Sequence, residues 1–234
     1  METLEAERER AADLDVGELA DAIESIGFEC TRCGACCKAV EGCGGADEDA
    51  DDTDDDSTGH DHTATVFPDE VRELQATEEY DWRDVARPMP YGLVESEDGP
   101  QGETFEWALQ TDECGDCAFY EEDDGTGACT VHEDRPLVCK TYPFSVALGG
   151  TSQPMGEAVD EEGMVRAHEC EGLGRDISRD EAEELAAALK ERAIRELDEA
   201  IEVRDNYRPI ERDSGEVVVY DSEGAKRPDG TKRE

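Results

Sequence analysis

The apolar positions near the N-terminus recur at the spacing of an amphipathic helix. Between residues 15 and 26 they lie three or four positions apart, at Val16, Leu19, Ile23 and Ile26. A helix brings such positions onto one face. Asp15 is a suitable N-cap, Glu18 can complete a capping box, and Gly27 can end the helix. We therefore predict a helix whose apolar face packs on the core.

A longer helix is predicted near the C-terminus. Ser178, with Glu181 three residues later, has the capping-box pattern, and the helical periodicity continues to about Arg204. Its row of apolar side chains consists of Leu185, Leu189, Ala193, Leu197 and Ile201.

Alternating polarity in the middle of the chain predicts a β-hairpin. The candidate strands are Tyr91–Val94 and Thr104–Leu109, and the segment Glu97–Pro100 between them is rich in turn-forming residues. One face of the second strand is expected to carry Phe105, Trp107 and Leu109. A tight loop is expected at residues 123–127.

Shorter elements complete the pattern. Pro68 can start a short helix, which residues 82–85 can extend, and residues 217–220 are typical of a late strand. Residues 222–234 are expected to be a polar tail. Residues 43–62 are nearly all glycine, alanine and polar residues. Such a segment cannot bury enough apolar surface to offset its ordering entropy, so we predict a disordered acidic insertion there.

The composition limits what an apolar core can contribute. Of 234 residues, 36% are hydrophobic and 6% are aromatic, whereas 37% are charged. A chain with so few hydrophobic residues is expected to form one domain with appendages and a thin apolar core. Another interaction should therefore help to stabilise the fold. The ten cysteines are the candidates.

The net charge is extreme, at −43 from 65 acidic and 22 basic residues. Nucleic acid and anionic membrane surfaces are therefore not expected as partners, because like charges repel. We interpret the acidity as an adaptation to salt, since at about 1 M salt the Debye length falls to about 3 Å and screens the self-repulsion. The expected partner is an unidentified protein that exchanges electrons or metal.

The cysteines are expected to be reduced. The sequence has no stretch of the roughly 20 apolar residues that span a bilayer, and its first residues lack the pattern of a secretory signal. We therefore expect a cytoplasmic location, where clustered cysteines bind metal rather than form disulfides.

The strongest chemical signal is a Cys-x-x-Cys-x-x-Cys-Cys cluster formed by Cys30, Cys33, Cys36 and Cys37. The two-residue spacer lets a tight turn aim two thiolates at one ion, as in zinc knuckles and iron–sulfur loops. Gly34 gives the loop backbone freedom. The side chains of the vicinal pair, Cys36 and Cys37, are expected to diverge. They would then serve two metal sites, or one of them would not be a ligand.

A second group of cysteines lies within motifs specific to one family. Its pattern resembles the CxxCxxCC cysteine-cluster family (the YkgJ type), whose members are labelled zinc- or iron-chelating proteins or Fe–S oxidoreductases. The resemblance covers roughly residues 28 to 174. Besides the first cluster, it matches at Cys117, Phe119, Cys129, Arg135, Pro136, Cys139, Tyr142, Pro143, Cys170 and Gly172.

The chain also departs from the family pattern. The acidic insertion and the extra cysteines Cys43 and Cys114 are the larger departures. We interpret Cys43 as a non-ligand. Cys114 forms a Cys-x-x-Cys pair with Cys117, which can be a redox couple or an alternative ligand arm.

Without the two extra cysteines, eight remain as predicted metal ligands: Cys30, Cys33, Cys36, Cys37, Cys117, Cys129, Cys139 and Cys170. Eight thiolates can fill two four-ligand sites, or one cluster beside spare redox thiols. Spacing does not choose the metal, because thiolates suit both zinc and iron–sulfur clusters. With the vicinal pair and the family label, we favour an iron–sulfur cluster, 4Fe-4S, over zinc.

Several neighbours of these cysteines have predicted supporting roles. Arg135 is the predicted cofactor-binding residue, donating to cluster sulfurs or to carbonyls around them; the alternative is a surface salt bridge. Pro136 is expected to start the turn or helix that delivers Cys139. Three aromatic residues are expected to shield the metal from water: Phe119, Tyr142 and Phe144. We interpret all four histidines as non-ligands. Among them, His168 is the best candidate for a metal ligand.

The predicted fold class is α+β, an irregular metal-stabilised cysteine-cluster domain with flanking helices and a hairpin. Its expected parts are an N-terminal helix within 1–27, the cysteine domain at 28–174, a helix at 175–205, and a strand with a polar tail at 206–234. Three functions stay open: iron–sulfur redox chemistry, metal delivery, and a structural zinc module. The sequence has no nucleotide-binding glycine loop, His-Glu-x-x-His motif or Ser/His/Asp signature. We therefore assign no catalytic residue, and any enzymatic role rests on the family label.

Overall fold

The computed structural model describes residues 3–39, 61–77, 79–96, 99–148, 158–160 and 163–233. Over these residues the fold is α+β, as predicted. The helices are α1 (Leu4–Asp13), α2 (Val16–Ile26), α3 (Pro68–Thr77), α4 (Trp82–Val85), α5 (Leu137–Thr141) and α6 (Arg179–Asn206). The strands are β1 (Thr65–Val66), β2 (Ala86–Pro88), β3 (Leu93–Ser96), β4 (Gly99–Thr104), β5 (Trp107–Leu109), β6 (Tyr120–Asp123), β7 (Thr126–Cys129), β8 (Phe144–Val146), β9 (Ala158–Asp160), β10 (Val165–His168), β11 (Val217–Asp221) and β12 (Gly224–Lys226).

The helices at the two ends of the chain pack together. α1 and α2 lie against α6, and their apolar sides join β8 and β10 in one buried cluster. The predicted caps are present, because Asp15 accepts from the Glu18 amide and Ser178 forms a capping box with Glu181. The helix α1 was not predicted, because it has no apolar stripe in the sequence; it buries only Glu7 and Ala11. None of the described helices has the length and apolarity to cross a lipid bilayer.

The strands form four small sheets. Their orders are β1–β5–β2, β8–β10–β9, β12–β11–β4–β3 and β6–β7. Neighbours are antiparallel, except that β11 runs parallel to β4 with Val218 opposite Glu103. The predicted late strand is therefore confirmed as β11, and it ties the C-terminal region to the middle of the chain.

The predicted hairpin forms, but its second strand is displaced. β3 pairs with β4, after which the chain leaves this sheet and β5 pairs with β1 and β2. Trp107 and Leu109 are therefore buried, whereas Phe105 is 47% exposed and stacks on Tyr220. Alternating polarity marks which positions face inward, but it does not show that the chain changes sheets between them.

The segment around residue 82 also differs from the prediction. Pro68 starts α3 as expected, but α4 is a separate helix rather than an extension. Asp81 caps it and forms a capping box with Asp84. The predicted insertion at 43–62 lies, apart from its last two residues, outside the described part of the chain.

The expected polar tail folds back onto the protein, because β12 pairs with β11. Lys226 in β12 is only 2% exposed and contacts the carboxylates of Asp221 at 2.7 Å and Glu223 at 2.8 Å. The indole N–H of Trp107 donates to the same Asp221 over 2.8 Å. A charged side chain in a polar sequence thus becomes part of a buried ion pair, since Asp221 in β11 and Glu223 in the turn before β12 both contact it.

Two apolar clusters are buried in the described residues. The first lies between the helices, as given above. The second is built from α3, α4 and the central strands, with Trp82, Trp107 and Phe119 among its largest members. Four cysteines belong to it or pack against it: Cys37, Cys117, Cys129 and Cys139. Part of the apolar core is therefore made of thiols.

The buried ion pair predicts unequal costs for two charge-removing substitutions. Lys226→Ala leaves Asp221 buried without its cation, which should lower the free energy of unfolding by roughly 3–5 kcal/mol. The matched control is Arg8→Ala, whose solvent-exposed pair with Asp198 should contribute far less, because water screens exposed ion pairs. Denaturant unfolding of both variants measures this difference. Equal losses in the free energy of unfolding would show that the buried pair of Lys226 stabilises the fold no more than an exposed pair.

Candidate metal centre

The loop 30–37 is fixed at its start by the helical end of the molecule. Gly27 caps α2, its amide donating to Ile23. Phe28 forms a β-bridge with Leu173, and the Glu29 amide donates to the Gly172 carbonyl over 3.0 Å. The loop therefore leaves the helix beside the segment that carries Cys170.

The middle of the loop turns sharply and rests on the hairpin β6–β7. Gly34 has a φ of +76°, and a Cβ there would lie 2.1 Å from the hydroxyl of Tyr120. The amide of Gly127 donates to the carbonyl of Arg32 over 2.7 Å. A Cβ on Gly127 would lie 2.6 Å from the same tyrosine ring. Two glycines are thus required where the loop meets the hairpin.

The vicinal cysteines do not diverge as expected. The Sγ atoms of Cys36 and Cys37 are 3.9 Å apart and hydrogen-bonded, so the prediction of divergence was wrong. Two thiolates on one tetrahedral zinc, each about 2.3 Å from the metal, would be about 3.8 Å apart. The turn that closes with the Cys37 amide donating to Gly34 over 2.8 Å places both sulfurs on the same side.

Three later cysteines reach this loop from short elements. The amide of Cys117 donates to the carbonyl of Cys37 over 2.8 Å. Cys129 ends β7 opposite Tyr120. Cys139 lies in α5, which begins after Pro136 as predicted, and its amide donates to the Pro136 carbonyl over 3.0 Å. The backbone hydrogen bond of Cys117 therefore joins the second cysteine group to the first.

Cys170 arrives from the helical side. It follows β10, and its sulfur accepts from the Gly172 amide over 3.4 Å. Gly172 has no room for a side chain, because a Cβ would lie 2.3 Å from the carbonyl oxygen of Glu29. Nearby, Tyr142 donates its hydroxyl proton to the carbonyl of Glu169.

A thiolate at one cysteine changes the pKa of the neighbouring thiols. Burial raises the pKa of Cys117 to about 11, with further contributions from thiolates at Cys129 and Cys36. Burial also raises the pKa of Cys139, and thiolates at Cys117, Cys129 and Cys36 raise it further. The hydrogen bond between the vicinal thiols lowers the pKa of Cys36 to about 7 and raises that of Cys37.

Cys170 belongs to the same neighbourhood by a different set of contacts. Burial raises its pKa, and so do thiolates at Cys36, Cys33 and Cys30. Burial raises the pKa of Tyr142 to about 12, with contributions from Cys170 and Cys36. The charge of Cys36 therefore acts on both sets of later cysteines.

Arg135 supplies positive charge to this neighbourhood. Its guanidinium donates to the carbonyl of His132 over 2.9 Å. Its charge is one of the influences that lower the pKa values of Cys36, Cys129 and Cys139. Among the described residues it has no carboxylate partner, so the surface salt bridge considered as an alternative is not formed with any of them.

The eight thiols have the chemistry of metal ligands, but the described side chains do not surround a single ion. The eight predicted ligands are all free thiols. For five of them burial raises the pKa, and a bound cation would reverse that effect by stabilising thiolate. Within the described ranges, no three Cys, His, Asp or Glu side chains stand ready around a single ion. Side chains must therefore move to close on a metal.

A comparison with models of protein families shows which family the chain belongs to. The model of the CxxCxxCC family, described as "Putative zinc- or iron-chelating domain", matches residues 29–171, more than half of the sequence. The chain belongs to the CxxCxxCC family. No curated protein and no solved structure matches it. The family description supports metal binding with zinc or iron and leaves open what the metal does.

All eight predicted ligands of the CxxCxxCC domain lie within the matched residues, and the described histidines have other surroundings. His168 is buried, with its Nε2 2.8 Å from the hydroxyl of Ser145. His132 is exposed beside Glu133, and His60 lies outside the described residues. His62, expected to be solvated, is half-buried, and burial lowers its pKa to about 4.

The extra cysteines differ from the eight. Cys114 is disulfide-bonded, whereas Cys117 is a free thiol. The predicted pairing of these two as a redox couple was therefore wrong, and so was the view of Cys114 as a ligand arm. Cys43 lies outside the described residues. The expectation that clustered cysteines avoid disulfides holds for the eight and fails for Cys114.

Two of the three aromatic residues expected to shield the metal lie beside the thiols. Phe119 is 3% exposed in the cluster that contains Cys117, and it meets Tyr80 edge-to-face at 5.7 Å. Tyr142 lies near Cys170, as described above. Phe144 instead packs in the helical cluster against Phe28, since β8 turns its side chain toward α6.

Tyr120, the residue on which the loop rests, was not among the predicted site residues. Its ring contacts both glycines, and the ammonium of Lys38 lies 5.4 Å from the ring centroid. A signal was present, because the turn at 124–125 fixes the register that places Tyr120 opposite Cys129. A two-residue turn determines every pair along such a hairpin.

The close contact of Gly34 predicts a large effect of one methyl group. Gly34→Ala should cost roughly 1–2 kcal/mol for the left-handed backbone, and roughly 1–3 kcal/mol more because Tyr120 must be displaced. Gly125→Ala is the matched control, since Gly125 also has a φ of +76° but nothing lies within 4 Å of its added Cβ.

Denaturant unfolding and metal analysis of the two variants distinguish the causes. Gly34→Ala should lose more stability than the control and also retain less metal. Equal stability losses would show that the loop does not rest on the tyrosine ring, and Gly34→Ala combined with Tyr120→Ala should recover part of the loss.

Proposed function

We propose that the CxxCxxCC domain holds an iron–sulfur cluster, 4Fe-4S, and transfers electrons to a protein partner. The observation that supports this most directly is the inner group, defined as Cys37, Cys117, Cys129 and Cys139. These four thiols come from four separate elements and pack on the second apolar cluster. One of the four is buried and three are half-buried, and four cysteine thiolates are the ligand set of such a cluster.

The inner thiols form one electrostatic neighbourhood, because thiolates at inner cysteines raise the pKa values of Cys37, Cys117 and Cys139. Thiolate ligands suit both zinc and iron–sulfur clusters, so the metal analysis described below decides between them. A bound cluster would supply reversible one-electron chemistry.

The residues around the inner group exclude water from it and offset part of its negative charge. Phe119 and Val131 are buried beside the inner group and exclude water. Arg135 offsets part of the thiolate charge through its effect on Cys129 and Cys139. The net charge of −43 disfavours adding an electron to an anionic centre, so we propose a low reduction potential.

Composition analysis of anaerobically purified protein tests the proposal. We expect visible colour with stoichiometric iron and acid-labile sulfide, and Cys139→Ser should lose most of both. Cys30→Ser is the matched control, since Cys30 is exposed and lies outside the apolar cluster, and it should retain the colour. Colourless protein with tightly bound stoichiometric zinc would instead support a structural zinc module.

The role of Arg135 is tested by the reduction potential. Arg135→Ala removes a positive charge near the thiols, so reduction should become less favourable and the potential more negative. An effect on the order of 1 kcal/mol corresponds to about 40 mV for one electron. Arg208→Ala makes the same change in net charge at an exposed position after α6, and an equally large shift there would contradict the assigned role.

A further inference from the structure

We infer that three residues that are not predicted ligands, Glu70, Thr141 and Arg192, hold the short helix α5 at both of its ends and thereby position Cys139 for metal binding. We assign none of the three to the metal itself, since each acts through the helix that carries the thiol. The inference rests on the proposed function only in taking Cys139 as a metal ligand, and it applies to iron and to zinc alike.

The helix α5 is too short to be stable on its own. It has five residues, Leu137–Thr141, and isolated helices shorter than about 12 residues are marginal in water. Its N-cap is Pro136, whose ring has no polar atom that could accept from the first amides of the helix. Contacts from elsewhere in the chain must therefore fix the helix and with it the direction of Cys139.

Glu70 in α3 supplies the missing acceptor. Its Oε1 accepts from the amide of Leu137 over 2.8 Å, and its Oε2 accepts from the amide of Phe67, just before α3, over 3.0 Å. The residue is 6% exposed, and a carboxylate that accepts from backbone amides makes a strong, charge-assisted hydrogen bond. One buried carboxylate thus caps two helices that begin far apart in the sequence.

Thr141 and Arg192 hold the other end of α5. The hydroxyl of Thr141 donates to the carbonyl of Leu137 over 2.7 Å and accepts from Nη1 of Arg192 over 3.0 Å. Both residues are buried. The Nε of Arg192 donates to the carboxylate of Glu196 over 2.6 Å, so the guanidinium charge is compensated within α6. The last turn of α5 is therefore tied to a buried side chain of α6.

These contacts place α5 between the two apolar clusters. Val71 and Leu74 of α3 belong to the second cluster, whereas Leu189 and Leu197 of α6 belong to the first. Cys139 packs against the second cluster, and α5 packs against α6. The position of Cys139 therefore depends on the helical end of the molecule as well as on its own segment.

A ligand that is held in place before the metal arrives binds it more tightly, because less conformational entropy is lost on binding. A substitution that loosens α5 should therefore lower metal retention beyond its effect on stability. A substitution that weakens the metal-free and the metal-loaded fold equally leaves the metal affinity of the folded protein unchanged. Metal retention thus separates a positioning role from a structural one.

Loss of metal to an excess of chelator tests the inference in the full-length protein, purified anaerobically and loaded with zinc if it contains no metal. Thr141→Val keeps the β-branched shape but removes the hydroxyl. It should speed metal loss by roughly 10-fold, the lower end of the effect of removing an outer hydrogen-bond partner of a metal ligand. Thr141→Ser is the matched control, since it retains the hydroxyl and should keep the rate of the unsubstituted protein. Glu70→Gln loses one of two carboxylate oxygens and should act in the same direction as Thr141→Val.

Lys226→Ala controls for stability. Its buried ion pair with Asp221 lies outside α5, so this variant should lower the free energy of unfolding without a comparable change in the rate of metal loss. An unchanged rate in Thr141→Val, or an equally large increase in Lys226→Ala, would overturn the positioning role.

Alkylation of the cysteines during metal removal gives a second measurement. Mass spectrometry of the alkylated chain compares Cys139 with Cys129, which lies in β7 rather than in α5. In Thr141→Val the rate of alkylation should rise at Cys139 relative to Cys129. An equal rise at both thiols would show a general loosening of the fold and would refute the inference.

The outcomes separate this inference from the proposed function. Faster metal loss in Thr141→Val, with zinc as the metal, would support the positioning role and refute the iron–sulfur proposal. An unchanged rate in protein that contains iron and acid-labile sulfide would refute the positioning role alone.

Discussion

Several thiols of this fold lie close enough that each opposes the ionisation of its neighbours. Burial and neighbouring thiolates raise the pKa values of Cys117, Cys139 and Cys170. A bound cation would turn this unfavourable set of charges into a favourable one, because it stabilises thiolates and joins segments distant in sequence. In a chain with 36% hydrophobic residues, such a centre can replace part of the apolar core.

The scaffold around the thiols is made of close backbone contacts. The loop rests on Tyr120 through Gly34 and Gly127, and it meets the Cys170 segment through Gly172. Each of these glycines lies where a Cβ would overlap with a neighbour. The cysteines are thus positioned by hydrogen bonds and by the absence of side chains, while the helices α1, α2 and α6 provide a separate apolar cluster behind them.

The thiols differ in their surroundings. Cys117 is buried, whereas Cys30 and Cys36 are exposed. Cys36 and Cys37 are adjacent in sequence and their sulfurs are in contact, yet only Cys37 packs against the second apolar cluster. A change of charge at one of the two sulfurs therefore acts directly on the other.

The sequence by itself determined the α+β class, the family, α2 and α6 with their caps, the late strand and the turn before Cys139. These depend on periodicity, capping and local motifs, which act over a few residues. Tertiary structure alone decided that Phe105 leaves the face of Trp107 and stacks on Tyr220, that Lys226 becomes buried against Trp82, and that Tyr120 supports the loop. Each of these depends on contacts between residues far apart in the chain, and no local pattern of polarity records which distant side chain will fill a given space.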